Sequence, residues 1–265
     1  MKYLLNISAI AVIIFALFNL AFTAQAASVP AFKPSSIGIG NPLAGDPSTS
    51  GTLSYNASGT NPLIICTTRD YTTNPGTISM SYNGQSFTAI GPVYNNSLGA
   101  NEFMQTFYLE GSKITLGVAN IIVNTSNSVN HYVSCSTYEN TNQTLPIDTF
   151  VGGTGAAQII STSTTITTTG DNELIVTLTG SADGRQHTAG AGNIERVGSL
   201  GTIYLSGTGG VFDASTIVSP AGTFTSNITA DAIEHWIITA VAIKPFISTK
   251  SVLYGNYYGT WYGGN

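Results

Sequence analysis

Charged side chains are scarce in this sequence. Asp, Glu, Lys and Arg together make up 8% of its 265 residues, whereas about 25% is usual for a soluble domain. The formal net charge is −5. Nucleic acids and anionic membranes attract proteins through clusters of Lys and Arg, so this composition argues against either of them as a partner.

Sequence motifs for catalysis and for zinc binding are missing as well. The chain has no Gly-x-Ser-x-Gly, no His-Glu-x-x-His and no pair of Cys-x-x-Cys motifs, which mark one large class of serine hydrolases and many zinc sites. The Glu-x-Asp-x-x-Glu strand motif of concanavalin-like glucanases is absent too, although the two carboxylates of a glycoside hydrolase can also come from separate strands. We therefore predict a non-enzymatic protein with no catalytic residues, and keep a glycoside hydrolase as the least favoured alternative.

A long apolar run occurs only at the start of the chain. Leu4 to Phe22 is apolar apart from three polar positions, Lys2 precedes it, and Ala24-Gln25-Ala26 offers a small-x-small cleavage site. This is the pattern of a signal peptide that is cleaved after Ala26. An uncleaved membrane anchor is the alternative, because the run is nearly long enough to span a bilayer. We expect a secreted or cell-surface protein whose mature chain does not contact the membrane.

Strand and turn residues are what the sequence has in abundance. Ile78, Met80 and Tyr82 alternate with polar residues, and Asn83-Gly84 follows directly, which is the strongest short-range signal for a β-hairpin. Further β-type runs recur about every ten residues, and no amphipathic helix follows the signal peptide. We predict an all-β fold, namely a two-sheet antiparallel β-sandwich of jelly-roll type.

These signals divide the chain into four parts. Residues 1–26 form the signal peptide, residues 27–50 an extended segment, residues 51–245 the sandwich domain, and residues 246–265 a Tyr- and Gly-rich tail. The prolines of the 27–50 segment are incompatible with a long helix. That segment is therefore either a linker or a strand laid along a sheet edge.

Two short patterns recur in the same order along the sandwich domain. The pattern Gly-x-Asn-x-Leu-Ile-[Ile/Val] begins at Gly59 and again at Gly170, an offset of 111 by subtraction (170 − 59). The pattern [Val/Ile]-x-His-aromatic-[Val/Ile] contains His131 and then His235, an offset of 104 (235 − 131). Each half would begin with a Leu-Ile strand and end with a His-aromatic strand. We predict an internal duplication with pseudo-two-fold character.

The chain contains two cysteines, Cys66 and Cys135. When the two halves are aligned, Cys66 takes the place of Thr177 and Cys135 takes that of Thr239. Both cysteines then lie at matching depth in the first and last strands of one half. Because an exported chain with an even number of cysteines tends to oxidise them, we predict a disulfide, with two buried free thiols as the alternative.

The three histidines differ in their sequence context. His131 and His235 take matching positions in the two halves, which favours a structural role for both. His187 lies in a glycine-rich stretch beside the densest group of charges in the chain, formed by Asp183, Arg185, Glu195 and Arg196. Either a solvated loop or a ligand-binding or catalytic site would account for this group.

No motif gathers the acidic residues into a metal site, and we expect no cofactor. Calcium remains the alternative, because the loops of a sandwich can bring several oxygen ligands together from distant parts of the chain. The candidate ligands are Asp148, Asp171, Asp183 and Asp213.

Aromatic residues are concentrated in the C-terminal tail. Exposed Tyr and Trp side chains stack on sugar rings and anchor protein interfaces, so these residues are candidates for a ligand or interface role. A final strand packed on the sandwich and a disordered end are the alternatives. The residues are Tyr254, Tyr257, Tyr258, Trp261 and Tyr262.

Three short stretches resemble a known type of module. They are Tyr82-Asn83-Gly84-Gln85-x-Phe87, Leu145-Pro146-Ile147-Asp148, and Trp236 to Pro245. Together they are similar to uncharacterised secreted β-sandwich modules of bacterial surface proteins and of phage- or virus-associated structural proteins. The resemblance covers residues 50 to 245 and implies a jelly-roll-like sandwich with a structural, adhesive or glycan-binding role. It implies no catalytic residues.

The low charge, the extended N-terminal segment and the aromatic tail together favour self-association outside the cell. In a surface filament or layer, either terminus would add as a strand to the exposed sheet edge of a neighbour. The expected partners are copies of the same chain. A carbohydrate-binding or adhesion module, with glycans as partners, is the alternative.

Overall fold

The computed structural model describes residues 27–40, 48–71, 74–96, 102–129, 131–181, 187–197 and 211–247. The predicted signal peptide and the five aromatic residues of the tail lie outside these ranges. Ser28–Phe246 forms one compact unit. Apart from a 3-10 turn at Gly111–Lys113, its regular elements within the described ranges are strands.

The strands are numbered in chain order. Those of the first half are β1 (Ala27–Ser28), β2 (Ala31–Gly40), β3 (Ser48–Ala57), β4 (Leu63–Tyr71), β5 (Ile78–Tyr82), β6 (Gln85–Ser86), β7 (Thr88–Asn96), β8 (Glu102–Glu110), β9 (Gly117–Val129) and β10 (His131–Glu139). Those of the second half are β11 (Ile147–Thr167), β12 (Glu173–Ser181), β13 (His187–Ala189), β14 (Ile194–Val197), β15 (Val211–Val218), β16 (Thr223–Ile243) and β17 (Phe246–Ile247). The short strands β1 and β17 pair with each other.

The central sheet has the strand order β2-β10-β4-β8-β7, and every pairing is antiparallel. Adjacent residues of a strand point to opposite faces. On β4, Ile64 and Cys66 belong to one apolar cluster, while Leu63 and Ile65 belong to another. The run from Leu63 to Arg69 is therefore buried at every residue. Burial on both faces accounts for the unbroken apolar start of β4, which does not alternate with polar residues.

The N-terminal outer sheet covers one face of the central sheet. Its strand order is β3-β9-β5-β6, and its inward residues, including Tyr55, Tyr82 and Ile121, pack with Ile64 and Cys66. The β5–β6 hairpin turns at Asn83 and Gly84, which have φ values of 48° and 77°. Asn and Gly are the residues that tolerate such left-handed conformations best, so the predicted hairpin is confirmed.

The C-terminal sheet covers the other face. Its strand order is β11-β16-β12-β15-β14, with β13 paired to β16. Leu174 and Val176 of β12 pack with Leu63 and Ile65 of β4, which joins the two sheets through one apolar cluster. The structure is thus an antiparallel β-sandwich, which confirms the predicted fold class, but the described residues form four sheets where we expected two.

The long hairpin of β11 and β16 bends back over the C-terminal sheet. Each strand has 21 residues, and their pairing shifts register between Gly155 and Ser161. Beyond these shifts, Ile166 and Phe224 pack in the same cluster as Ile175 and Ala240. The far end of the hairpin therefore shields the outer side of the sheet to which it belongs.

The two halves follow the same pairing order. In each, a Leu-Ile strand (β4 or β12) lies between the last strand of its half (β10 or β16) and the second strand of a hairpin (β8 or β15). The residues that precede the Leu-Ile strands also agree, because Asn61 and Asn172 both adopt a positive φ. A pseudo-two-fold duplication of the whole domain nevertheless stays a prediction.

The predicted alignment of β10 with β16, the last long strands of the two halves, is wrong by one residue. Cys66 pairs opposite Cys135, whereas Thr177 pairs opposite Ala240 and not Thr239. By the same ladders, the residue that corresponds to His131 is Trp236. A shift of one residue moves a side chain to the other face of a strand, so His131 and His235 are not equivalent positions. The predicted alignment was wrong because it matched His131 with His235.

The disulfide between Cys66 and Cys135 is confirmed. The two residues are directly opposite on β4 and β10, with Cα atoms 4.1 Å apart, and they lie 69 residues apart in the chain. Both side chains are buried in the cluster shared with the N-terminal outer sheet. The bond links the Leu-Ile strand of the first half, β4, to the last strand of that half, β10.

Removing this bond should lower stability markedly. For Cys66→Ala/Cys135→Ala we expect a loss of about 4 kcal/mol in the free energy of unfolding, because the unfolded chain regains the freedom of a long loop. Urea denaturation of the mature protein, with and without reductant, measures the effect. Reductant should not change the midpoint of the double variant. An oxidised wild-type protein with the same midpoint as its reduced form would contradict the prediction.

Candidate functional site

Three strand ends meet at one polar cluster, which we call the carboxyl cluster: Asp148, Glu173 and Lys244. The side chains of its two acidic residues are buried, and that of Lys244 is half-buried. Ile243 of β16 pairs with Ile147 of β11 on one side and with Leu174 of β12 on the other. Each residue of the cluster adjoins one of these three in sequence, so the strand register brings them together. All three lie beside strongly apolar residues and are conspicuous in a chain with few charges.

Hydrogen bonds hold the two carboxyl groups in place. Asp148 accepts from the backbone nitrogen of Thr169 at 2.7 Å and from its hydroxyl at 2.6 Å. Lys244 Nζ lies 3.2 Å from Asp148 Oδ1. The backbone nitrogen of Gly170 donates to Glu173 Oε1 at 3.1 Å. Only 4% of the Asp148 side chain is exposed, and Glu173 is 1% exposed.

The two carboxyl groups titrate in opposite directions. Burial, together with the negative charge of Asp148, raises the pKa of Glu173 from 4.5 to about 7. Burial also opposes the ionisation of Asp148, but the hydrogen bonds from Thr169, Lys244 and Glu173 outweigh it and lower the pKa of Asp148. Below a pH of about 7 the pair therefore holds one proton, which resides on Glu173, and above it Glu173 ionises as well. Among the described residues Glu173 Oε2 has no hydrogen-bond partner.

Sequence reasoning missed the carboxyl cluster. Of its three residues only Asp148 was a candidate from the sequence, and it was predicted as a calcium ligand. The available signal was the position of each charge immediately beside an apolar strand run in a charge-poor chain. A perturbed pKa in a group of buried ionisable residues is a recognised mark of functional chemistry.

A second buried ionic pair lies between the central and C-terminal sheets. Arg69 forms a salt bridge with Glu102, and neither side chain is exposed. The guanidinium carbon of Arg69 lies 5.8 Å from the ring centre of Tyr132. At Gly180 of β12, a Cβ atom would lie 3.1 Å from Glu102 Oε1 and 3.3 Å from Arg69 Cδ. Glycine at this position therefore allows β12 to approach the pair closely.

The histidines occupy three different environments. His131 is buried, and its Nε2 lies 3.1 Å from the carbonyl oxygen of Ser48. His187 is 4% exposed and belongs to β13, where its Nδ1 lies 2.9 Å from Thr179 Oγ1. His235 is half-buried. The solvated-loop interpretation of His187 is thus wrong, because pairing between β13 and β16 takes its side chain into the fold.

The charged residues near His187 in sequence are placed differently from one another. Arg196 of β14 donates from Nε to Ser215 Oγ at 2.9 Å and lies over the ring of Phe32. Asp183 and Arg185 lie outside the described residues, and the side chain of Glu195 is not described. The described residues therefore give no site centred on His187.

The calcium candidates do not come together in the described structure. Oxygens of Asp148 are engaged by Thr169 and Lys244, and Asp171 Oδ1 accepts from the backbone nitrogen of Ala221 at 2.7 Å. Asp183 lies outside the described residues, and the side chain of Asp213 is not described. Among the described residues no group of three or more His, Cys, Asp or Glu side chains could hold a metal ion. Calcium binding stays an untested alternative.

The outward face of the N-terminal outer sheet has no charged residue. None of β3, β5, β6 and β9 contains Asp, Glu, Lys or Arg. In this face, Thr52, Ser54 and Asn56 of β3 lie opposite Ile122, Asn120 and Val118 of β9. All six of these residues are exposed. We call this surface the N-terminal outer face.

The far end of the long hairpin presents a second surface of the same kind. Ser161, Ser163, Thr165 and Thr167 of β11 pair directly with Thr229, Asn227, Thr225 and Thr223 of β16, and all eight are exposed. The hydroxyl oxygens of Thr165 and Thr225 lie 2.9 Å apart, and those of Thr167 and Thr223 lie 3.1 Å apart. We call this ladder the C-terminal outer face.

Aromatic side chains do not line either outer face. Among the residues whose burial the structure describes, every aromatic side chain is buried or half-buried. A platform on which sugars could stack is therefore not present in this part of the chain. The tail residues Tyr254, Tyr257, Tyr258, Trp261 and Tyr262 lie outside it, so their predicted ligand or interface role stays a prediction.

Comparison of the chain with protein-family models, with curated proteins and with solved structures gives no match. The described residues contain no helix long and apolar enough to cross a bilayer. The resemblance to secreted β-sandwich modules stays a prediction.

The carboxyl cluster should impose a pH dependence on stability. The pKa of Glu173 is higher in the folded protein than its ordinary value of 4.5, so its contribution to stability is complete below pH 4.5 and is lost as the pH rises to about 7. Glu173→Gln keeps a hydrogen-bond donor towards Asp148 and removes this titration. Relative to wild type, the variant should therefore gain stability across that pH range.

Urea denaturation at a series of pH values measures this difference. Glu110→Gln is the matched control, because Glu110 is a carboxylate outside the cluster that is 23% exposed and pairs with Lys113. A constant difference in unfolding free energy between wild type and Glu173→Gln from pH 4.5 to about 7 would contradict the raised pKa.

Proposed function

We propose that this protein is a secreted, non-enzymatic structural module that self-associates into an extracellular assembly such as a filament or a layer. The observation that carries the proposal is the pair of uncharged outer faces. One belongs to the N-terminal outer sheet and the other to the far end of the β11–β16 hairpin. Both present Ser, Thr and Asn side chains on regular, paired strands, and the N-terminal outer face also exposes Ile122 and Val118.

The placement of charge supports association between identical copies. The ion pairs Lys33–Glu139, Arg69–Glu102, Lys113–Glu110 and Lys244–Asp148 lie away from both outer faces. Two like-charged faces would repel each other, and burying unpaired charges is costly. Uncharged hydroxyl and amide groups avoid both penalties and can hydrogen-bond to an identical face.

The edges of the central sheet favour association through faces over association through strand addition. The edge strand β2 contains Pro34, and its pairing with β10 shifts register at Ser136 and Thr137. The opposite edge strand β7 contains Pro92, and its pairing with β8 shifts between Ile90 and Tyr94. Proline and irregular pairing hinder the addition of a further strand. The exposed rows of the two outer faces contain no proline and lie on regularly paired segments.

A positive charge placed on an outer face should prevent assembly. We expect Asn120→Lys on the N-terminal outer face, or Thr225→Lys on the C-terminal outer face, to shift the mature protein towards monomers, since each copy then brings a like charge to the contact. Ser112→Lys, in the exposed 3-10 turn, adds the same charge away from both faces and is the control. Light scattering after gel filtration, with electron microscopy of the same samples, measures the outcome. A wild-type protein that is monomeric at all concentrations would refute self-association.

A further inference from the structure

We propose that Lys244 and Asp148 become joined by an intramolecular amide bond, formed within the folded protein with Glu173 as the proton relay. The bond would link Lys244 Nζ to the side-chain carbonyl carbon of Asp148. This modification does not depend on the function proposed above.

The nucleophile and the carboxyl group are already in contact. Lys244 Nζ lies 3.2 Å from Asp148 Oδ1, so the amine is held against the carboxyl group whose carbon it would attack, and such positioning favours reaction. The Asp148 side chain is 4% exposed, whereas the Lys244 side chain is 32% exposed and enters the cluster from the surface. Because little water reaches Asp148, the reverse reaction, hydrolysis of the amide, is hindered.

Thr169 supplies the groups that attack on a carboxyl requires. Its backbone nitrogen donates to Asp148 Oδ2 at 2.7 Å, and its hydroxyl donates to Asp148 Oδ1 at 2.6 Å. When nitrogen adds to the carboxyl carbon, negative charge develops on one of these oxygens. A fixed N–H donor stabilises such an oxyanion. The same contacts hold the carboxyl group in one orientation before the reaction.

Glu173 is placed to move protons between the reacting groups. It is 1% exposed, Gly170 fixes its Oε1, and its Oε2 accepts no hydrogen bond among the described residues. Burial and the charge of Asp148 raise the pKa of Glu173 to about 7. A group with a pKa near the working pH both accepts and returns protons readily.

The reaction balances without any further reagent. Ionised Glu173 takes a proton from the Lys244 ammonium group, and the free nitrogen lone pair forms a C–N bond to the Asp148 carboxyl carbon. One C–O bond then breaks, and the departing oxygen leaves as water with both of the protons that the ammonium group loses. Glu173 returns to its starting state. The net change is ammonium plus carboxylate to amide plus one water.

The first half of the domain contains a natural comparison. Lys33 Nζ lies 3.3 Å from Glu139 Oε1, and the backbone nitrogen of Thr60 donates to Glu139 Oε2 at 3.4 Å. There, Pro62 precedes the Leu-Ile strand, whereas Glu173 precedes it in the second half. The Lys33–Glu139 pair thus lacks a second carboxyl group at that position, and its side chains are 30% and 23% exposed. We infer that it remains an ion pair.

With the amide, each half of the domain would contain one covalent cross-link between strands. The amide would link Asp148, near the start of β11, to Lys244, which directly follows β16. β11 is the edge strand of the C-terminal sheet, and β16 is the strand beside it. The Cys66–Cys135 disulfide ties β4 to β10 in the first half. Each half would then have one covalent link between neighbouring strands that are distant in sequence.

Mass spectrometry of the reduced, folded and purified protein tests the proposal. With its N-terminus determined on the same sample, the wild-type chain should be lighter than its sequence by the mass of one water. Proteolysis should release a branched peptide that joins Asp148 to Lys244. Lys244→Arg retains the cation but cannot form the amide, and should show the full sequence mass. Lys33→Arg should still show the loss of one water.

The possible outcomes test two claims separately: that the amide bond forms, and that Glu173 relays the protons. A wild-type chain of full sequence mass, with no branched peptide, overturns the proposal. Glu173→Gln, checked for folding by circular dichroism, should show the full mass or a much slower loss of water. If it forms the link as fast as wild type, Glu173 is not the relay. Loss of water in Lys244→Arg at the same extent as in wild type would place the bond elsewhere and also overturn the proposal.

Discussion

Burial of both faces of the central sheet is the constraint on which the rest of the structure depends. The strands β4, β8 and β10 lie between two other sheets, so successive residues face two different apolar clusters. Such strands cannot alternate apolar with polar residues, and the run from Leu63 to Cys66 shows this directly. An outer sheet then has to cover each face, because either face left bare would expose a large apolar surface.

The same constraint decides where charge is tolerated. Polar groups inside the sandwich need partners, and the interior supplies them: Thr67 with Thr106, and Arg69 with Glu102. Glu173, at the start of β12, meets the requirement by retaining a proton near neutral pH. With few charges in the chain and several of them committed to the interior, the outer faces remain neutral. In the proposed assembly, neutral faces would allow identical copies to approach one another, and the packing of the core would therefore bear on that assembly.

Local chemistry made part of the structure predictable from the sequence. Asn83-Gly84 predicts its hairpin because few other residues tolerate the backbone conformation of that turn, and the two cysteines predict their disulfide because they lie in strands that begin and end one half. The number of sheets was not predictable, since strand patterns do not say which faces meet. The alignment of His131 with His235 was wrong because a match between two short sequences does not determine the pairing register of their strands. His187 was taken for a loop residue because a three-residue strand gives too little periodicity to detect.

The carboxyl cluster shows what could not be predicted from the sequence. Asp148, Glu173 and Lys244 lie far apart in the chain, and only the register of β16 against both β11 and β12 brings them together. Each could be found in the sequence as a charge beside an apolar run. Their mutual distances, and therefore their shared proton, depend on pairings that are set by the whole sandwich.

Hydrogen exchange of the backbone amides, followed by mass spectrometry or NMR, tests the central constraint most directly. Amides of β4, β8 and β10 should be the slowest to exchange, because they open only when the whole sandwich unfolds. Those of β3 and β9 should exchange faster, since one face of their sheet meets solvent. If β4 and β10 exchange as fast as β3 and β9, the doubly buried central sheet is not what holds this protein together.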